Sequence, residues 1–145
     1  MNEKFYEAAL RHFVDAGILK VQECYDNAVY LYGNSAECAL KTMIKTYCGV
    51  NSKNIFMNKY KHDLKKIAGD LFSFVVNSST IALLDPALGL KQQIFTVPEV
   101  LFRDHPERRY EGNGIFTLGD AEECERAVHI MIDEMIKQYM DGYIN

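Results

Sequence analysis

The sequence has no tryptophan and only three prolines. So few enforced turns suit a helical fold better than one of many short strands. No apolar run approaches the ~18 residues of a membrane span. The opening stretch MNEKFYEAALRHFVDAGI carries acids and bases where an export signal needs an apolar centre, so a cytoplasmic protein is expected. The four cysteines (Cys24, Cys38, Cys48, Cys124) form no C-x-x-C pair, and they read as reduced thiols packed as small hydrophobes. With no H-E-x-x-H, G-x-S-x-G or G-x-x-x-x-G-K-[ST] in the chain, the metalloprotease, serine-hydrolase and P-loop chemistries lack their usual signatures. Neither a metal nor a cofactor is expected.

What is present is a 145-residue chain, 48% hydrophobic and 25% charged, with a net charge of −4. That size and balance predict one domain over residues 1–145. Helical periodicity runs through most of it. A first helix is predicted from Glu3 to about Gly17, with Gly17 as its stop. A second runs from Val21 or Tyr25 to Tyr47, along the stripe Tyr25, Val29, Tyr32, Ala36, Leu40, Met43 and Tyr47. A third starts at Asp63 as N-cap and places Leu64, Ile67, Leu71 and Phe74 or Val75 in the core. The last opens at Asp120, with Glu123 completing a capping box, and buries Ala121, Cys124, Val128, Met131, Met135 and Tyr139. Residues 81–119 hold all three prolines and four of the nine glycines. They read as a long connection with one short helix near Pro86–Phe95 and then irregular chain, and connections of that length are usually functional or partly mobile. The expected architecture is all-α, an antiparallel bundle of four to five helices.

Within the second helix, the block GNSAECALK places a glycine where it costs about 1 kcal/mol against alanine. Gly33, Ala36 and Ala39 read as one small surface that admits a neighbouring helix backbone. Glu37 and Lys41, four apart with the acid first, are placed to pair along the flank. His62 and Asp63 read as the entry to the third helix, with Asp63 capping it and His62 packing toward Ile67. His12 reads as a hydrogen-bonded or core-facing histidine, and His129 as a surface or interface residue.

Several of these motifs occur in an order that carries a resemblance. A-x-x-H-x-x-D-A in the first helix, YDNAVYLYGNSAECALK in the second, HDL opening the third, and RRYEG ahead of DAEECERA in the last together resemble the HEPN family. These are small helical-bundle domains of bacterial toxin–antitoxin and defence systems. The resemblance covers most of the chain and is weakest over residues 75–100. It implies a homodimer, a partner such as a nucleotidyltransferase or an antitoxin, and contact with RNA or a nucleotide. Many members are metal-independent ribonucleases marked by an Arg and a His four to six residues apart. This chain departs from that mark: Arg103 and His105 are separated by one residue, Arg126 and His129 by two, and Arg11 and His12 are adjacent.

The nearest substitute is RDHPERRY, in which Arg103, His105, Arg108, Arg109 and Tyr110 are candidates to hold a phosphate and a base. Two other readings stay open for it. Arg108 or Arg109 can pair with Asp104, Glu107 or Glu111 while Tyr110 plugs the bundle end, or Arg108, Arg109, His105 and Tyr110 can form a divergent catalytic site. Charge is also segregated: residues 41–66 hold seven lysines (41, 45, 53, 59, 61, 65, 66) against Asp63, whereas residues 120–145 hold seven acids against Arg126 and Lys137. The lysine pole is a solvated cap or an attractor for RNA or an acidic partner. The Met-rich last helix offers apolar surface suited to a second copy. Three functions therefore stand: a non-catalytic accessory HEPN module, a divergent HEPN ribonuclease, and a dimeric scaffold without a nucleic-acid ligand.

Overall fold

The computed structural model of the chain describes residues 4–48, 59–77, 96–103, 105–107 and 112–142, with the side chains of 46–48 and 74–77 excepted. The described residues form helices and no strand. In chain order these are α1 (Phe5–Val21), α2 (Tyr25–Cys48), α3 (Leu64–Asn77), the single turn α4 (Glu99–Phe102) and α5 (Leu118–Met140). The predicted short helix at Pro86–Phe95 lies outside the described residues, as do the side chains of Tyr47, Phe74 and Val75.

The stripe along α2 is the axis of the molecule. Ala28, Val29, Tyr32, Ala36, Ala39, Leu40, Met43 and Ile44 are fully buried, and α2 packs against each of the other four helices. Leu64, Ile67 and Leu71 reach the core from α3, Leu101 from α4, and Ala121, Cys124, Val128, Met131 and Met135 from α5. Burial of aliphatic side chains at about 1.5–3 kcal/mol each is the main force holding the helices on α2. From α1 the fully buried positions are Ala9 and Ala16, which let the two backbones approach. The Ser35 hydroxyl of α2 donates directly to the Ala9 carbonyl of α1 at 2.7 Å.

Gly17 does not end α1. The helix runs one turn further because tertiary packing outweighs the cost of one interior glycine. It stops at Glu23, which adopts φ +62°. Glu23 N–H donates to Lys20 O and Cys24 N–H to Leu19 O, the pair of bonds that defines a Schellman C-cap. Glycine is the usual residue at that position.

The last helix also begins earlier than predicted. Thr117 is the N-cap, its side chain accepts from Asp120 N–H, and Asp120 in turn accepts from Thr117 N–H. The capping box is therefore Thr117/Asp120 and not Asp120/Glu123. The approach to it is tied to the start of α2 by Asp26, whose carboxylate accepts the N–H groups of Gly114, Ile115 and Phe116 at 2.6, 3.1 and 2.9 Å. Gly114, at φ +77°, allows the chain to turn into this clasp. Tyr139 is not in the core; its ring stacks on Tyr6 at 4.6 Å and is 46% exposed. The methionines that suggested an apolar outer face are divided: Met131 and Met135 are fully buried and Met140 is exposed.

Because a left-handed backbone at a non-glycine residue costs about 1 kcal/mol or more, Glu23→Gly should stabilise the fold. For a chain of this size that corresponds to a melting temperature higher by about 2–4 °C. A lower melting temperature in a calorimetric scan would show that the Glu23 side chain contributes more than its backbone strain removes.

Candidate functional site

Halfway along α2, the carboxylate of Glu37 is enclosed, with the residue 7% exposed. A charge so far removed from water requires matched partners, and it has three. Its Oε1 accepts from Lys41 Nζ at 2.7 Å and pairs with His62 Nδ1 at 2.9 Å. Its Oε2 pairs with His105 Nε2 at 2.9 Å. Lys41 also donates to the Lys61 carbonyl at 2.7 Å, and its ammonium lies 5.5 Å from the centre of the Phe5 ring. Burial by itself raises a carboxyl pKa. Here the His105 hydrogen bond, the Lys41 ammonium and the His62 ring outweigh it and hold Glu37 down at about 2.

The knot joins three separate stretches of chain: the middle of α2, the turn before α3, and the turn after α4. His62 points its ring at Glu37, and Asp63 caps α3 by accepting Lys66 N–H at 3.0 Å. His105 is wholly enclosed, with its side chain at 0% exposure. The space for its ring comes from Gly33, one helical turn before Glu37. A β-carbon at Gly33 would lie 2.7 Å from His105 Nδ1 and 3.4 Å from the Leu101 carbonyl. Gly33 therefore admits an imidazole and the end of α4, whereas Ser35 marks the side of α2 that meets α1. Ala36 and Ala39, the other two members of the expected small surface, are fully buried.

Of the five candidates in RDHPERRY, Arg103 is exposed and His105 is buried; Arg108, Arg109 and Tyr110 lie outside the described residues. The structure thus separates His105 from an exposed role beside Arg103 and gives it to Glu37. The lysine pole is also reshaped. Lys41 is buried in the knot, and Lys59 pairs with Asp70 at 3.5 Å. Lys61, Lys65 and Lys66 are exposed, and Lys53 lies outside the described residues. His12, on α1, is half-buried, and burial together with Arg11 lowers its pKa. His129 is exposed beside Asp133 at 3.4 Å.

A second polar link, which the sequence reading did not anticipate, involves Tyr32, Glu125 and Lys20. Tyr32 donates its hydroxyl to Glu125 Oε2 at 2.7 Å, and Lys20 Nζ lies 2.7 Å from the same oxygen. Burial and the Glu125 carboxylate push the Tyr32 hydroxyl well up. Burial likewise raises the Cys38 thiol to about 12, which leaves it an inert packing group. Among the described residues no cluster of His, Cys, Asp and Glu is arranged to hold a metal ion, and no helix is long and apolar enough to cross a membrane.

Two outcomes follow from this geometry. Gly33→Ala should destabilise the wild-type chain by about 1–3 kcal/mol through overpacking but be harmless or favourable in a His105→Ala background. Gly69→Ala on α3, where a β-carbon meets nothing within 4 Å, should stabilise by about 0.5–1 kcal/mol in either background. Chemical denaturation of the two backgrounds, each alone and with either glycine replaced, tests the coupling, and equal effects of Gly33→Ala in both backgrounds would contradict it.

The second outcome concerns acid. The folded pKa of Glu37 lies below its ordinary 4.5, so the folded state takes up this proton less readily than the unfolded chain. The resulting stability is fully present above about pH 4.5 and disappears as pH falls toward about 2. It amounts to on the order of 3 kcal/mol, since a tenfold change in proton affinity is worth about 1.4 kcal/mol. Glu37→Gln should be less stable at neutral pH and should lose this part of the acid dependence. Parallel stability–pH curves for the two proteins would refute the assignment.

No family model matches the chain, and neither a curated protein nor a solved structure does.

Proposed function

We propose that the chain is a HEPN-like accessory module without nuclease activity, working in a bacterial defence or toxin–antitoxin setting through contact with RNA or a nucleotide. The observation that carries this reading is the burial of His105. A divergent ribonuclease built from His105, Arg108, Arg109 and Tyr110 needs an imidazole that reaches a ribose hydroxyl to move a proton. The ring of His105 is enclosed and its Nε2 is committed to Glu37. The arginines of the same segment keep their value as phosphate contacts, for which charge and fork geometry suffice. The all-helical architecture accords with the family pattern in the sequence.

Association with a second copy or with a nucleotidyltransferase or antitoxin partner belongs to the same reading. Val14, Ile18 and Val21 on α1 are 59%, 57% and 75% exposed, and their spacing of four and three places them along one side of the helix.

Purified protein should bind a short single-stranded RNA in fluorescence anisotropy, with affinity falling steeply as salt is added, and should leave the RNA intact. Arg108→Ala with Arg109→Ala should weaken binding by about tenfold, the scale of one or two charge-assisted contacts. Cleavage abolished by Arg108→Ala would replace this reading with the nuclease one, and absence of any RNA or nucleotide binding would favour a scaffold.

A further inference from the structure

His62 differs from the other partners of Glu37. Lys41 and His105 are enclosed, but the His62 side chain is 57% exposed. Its Nδ1 faces the carboxylate at 2.9 Å. In the imidazolium form both ring nitrogens donate, Nδ1–H to Glu37 and Nε2–H from the opposite edge. A ring fixed in this way loses little rotamer freedom on binding a ligand. The carboxylate that fixes it presents little net negative charge outward, because the Lys41 ammonium lies 2.7 Å from the same oxygen.

The surroundings are cationic and come from two distant parts of the sequence. Lys61, Lys65 and Lys66 are exposed beside His62. The Lys65 ammonium lies over the Phe102 ring at 5.8 Å, which brings it to the end of α4, where Arg103 is exposed. The His62 ring in turn approaches His105 edge-on at 6.4 Å. Lys65 and His62 from the start of α3 thus meet the turn that carries Arg103. Of the described acids, Asp63 is engaged in capping α3 through Lys66 N–H, Glu99 is exposed one turn before Arg103, and Glu107 is exposed beyond the buried Pro106.

We propose that the exposed edge of His62, flanked by Lys65 and Arg103, is a phosphate-binding site that takes one phosphate group of an RNA backbone or of a free nucleotide. The proposal rests on the reading that the ligand carries phosphate, and it adds which groups of the helical body touch that phosphate. Glu37 acts here as a positioning residue: it aims the imidazole and does not touch the ligand. Had His62 only completed the hydrogen bonding of Glu37, its outer edge would be indifferent to anions.

The test is a titration of the full chain, observed through its histidine ring nitrogens by NMR, with inorganic phosphate, uridine monophosphate and a short single-stranded RNA. The His62 resonances should shift saturably, while those of His129, which is equally exposed (59%) and held by Asp133, stay in place. Saturation with all three probes, or with the two small ones, identifies a site for a lone phosphate group. Saturation with RNA alone identifies a contact to the polymer backbone; both results support the proposal. His62→Gln, which preserves a donor for Glu37 and so keeps the fold, should weaken binding by about three- to tenfold, the scale of one hydrogen bond to a charged group. Lys65→Ala and Arg103→Ala should each act in the same direction. Tight RNA binding in anisotropy with unmoved His62 resonances, or with shifts matched at His129, overturns the site and leaves the RNA-contact reading standing. Absence of binding to any of the three probes overturns both.

Discussion

A carboxylate enclosed at the middle of a helix is tolerable only when its surroundings replace the water it has lost, and Glu37 sets that requirement for the rest of the molecule. One oxygen is met by Lys41 from the same helix and by His62 from the turn before α3; the other is met by His105 from the turn after α4. Two of these partners, His62 and His105, stand in turns and not in helices. α4 is a single turn with Leu101 as its buried residue, and the turn at Lys61, with φ +48°, is held by the bond from Lys41 to its carbonyl. The burial that makes Glu37 costly is therefore what ties these segments down, because losing a histidine partner leaves part of the carboxylate's hydrogen bonding unmet in the interior.

Shape and charge cooperate at this point. Gly33 and Glu37 are one turn apart on α2, one supplying an absence of side chain and the other a negative charge, and the His105 ring uses both. Its Nδ1 is buried with no hydrogen-bond partner among the described residues. The other polar links follow a similar logic at a smaller scale. Asp26 gathers three N–H groups ahead of α5, and Glu125 accepts from Tyr32 on α2 while pairing with Lys20 on α1.

Helix existence was legible in the sequence because a 3.6-residue apolar period survives whatever the partners are: of the expected stripe, Val29, Tyr32, Ala36, Leu40 and Met43 are buried and Tyr25 at its start is half-buried. Helix ends were less so. Gly17 looked like a terminator, yet packing carried α1 through it to a left-handed glutamate that no local rule favours. Thr117 is hard to recognise as a cap because Asp120, three residues later, offers a competing one. Within the site, the Glu37–Lys41 pair follows from i, i+4 spacing, and the Asp63 cap from its place before Leu64. The long-range partners His62 and His105 do not, since nothing local tells which distant histidine will fill the space above a glycine. The available signal was a combination: a lone acid amid Ser, Ala, Cys and Leu, one turn after a helix-interior glycine, marks a buried charge awaiting a partner from elsewhere in the chain.

Hydrogen exchange on wild-type and Glu37→Gln protein at neutral pH is the most direct test of the claim that Glu37 holds α4 and the start of α3 onto α2. Amides at 61–66 and 99–107 should lose protection together in the variant, while those in the centres of α1 and α5 remain protected relative to global unfolding. Unchanged protection at 61–66 and 99–107, or a loss spread evenly over all helices, would contradict it.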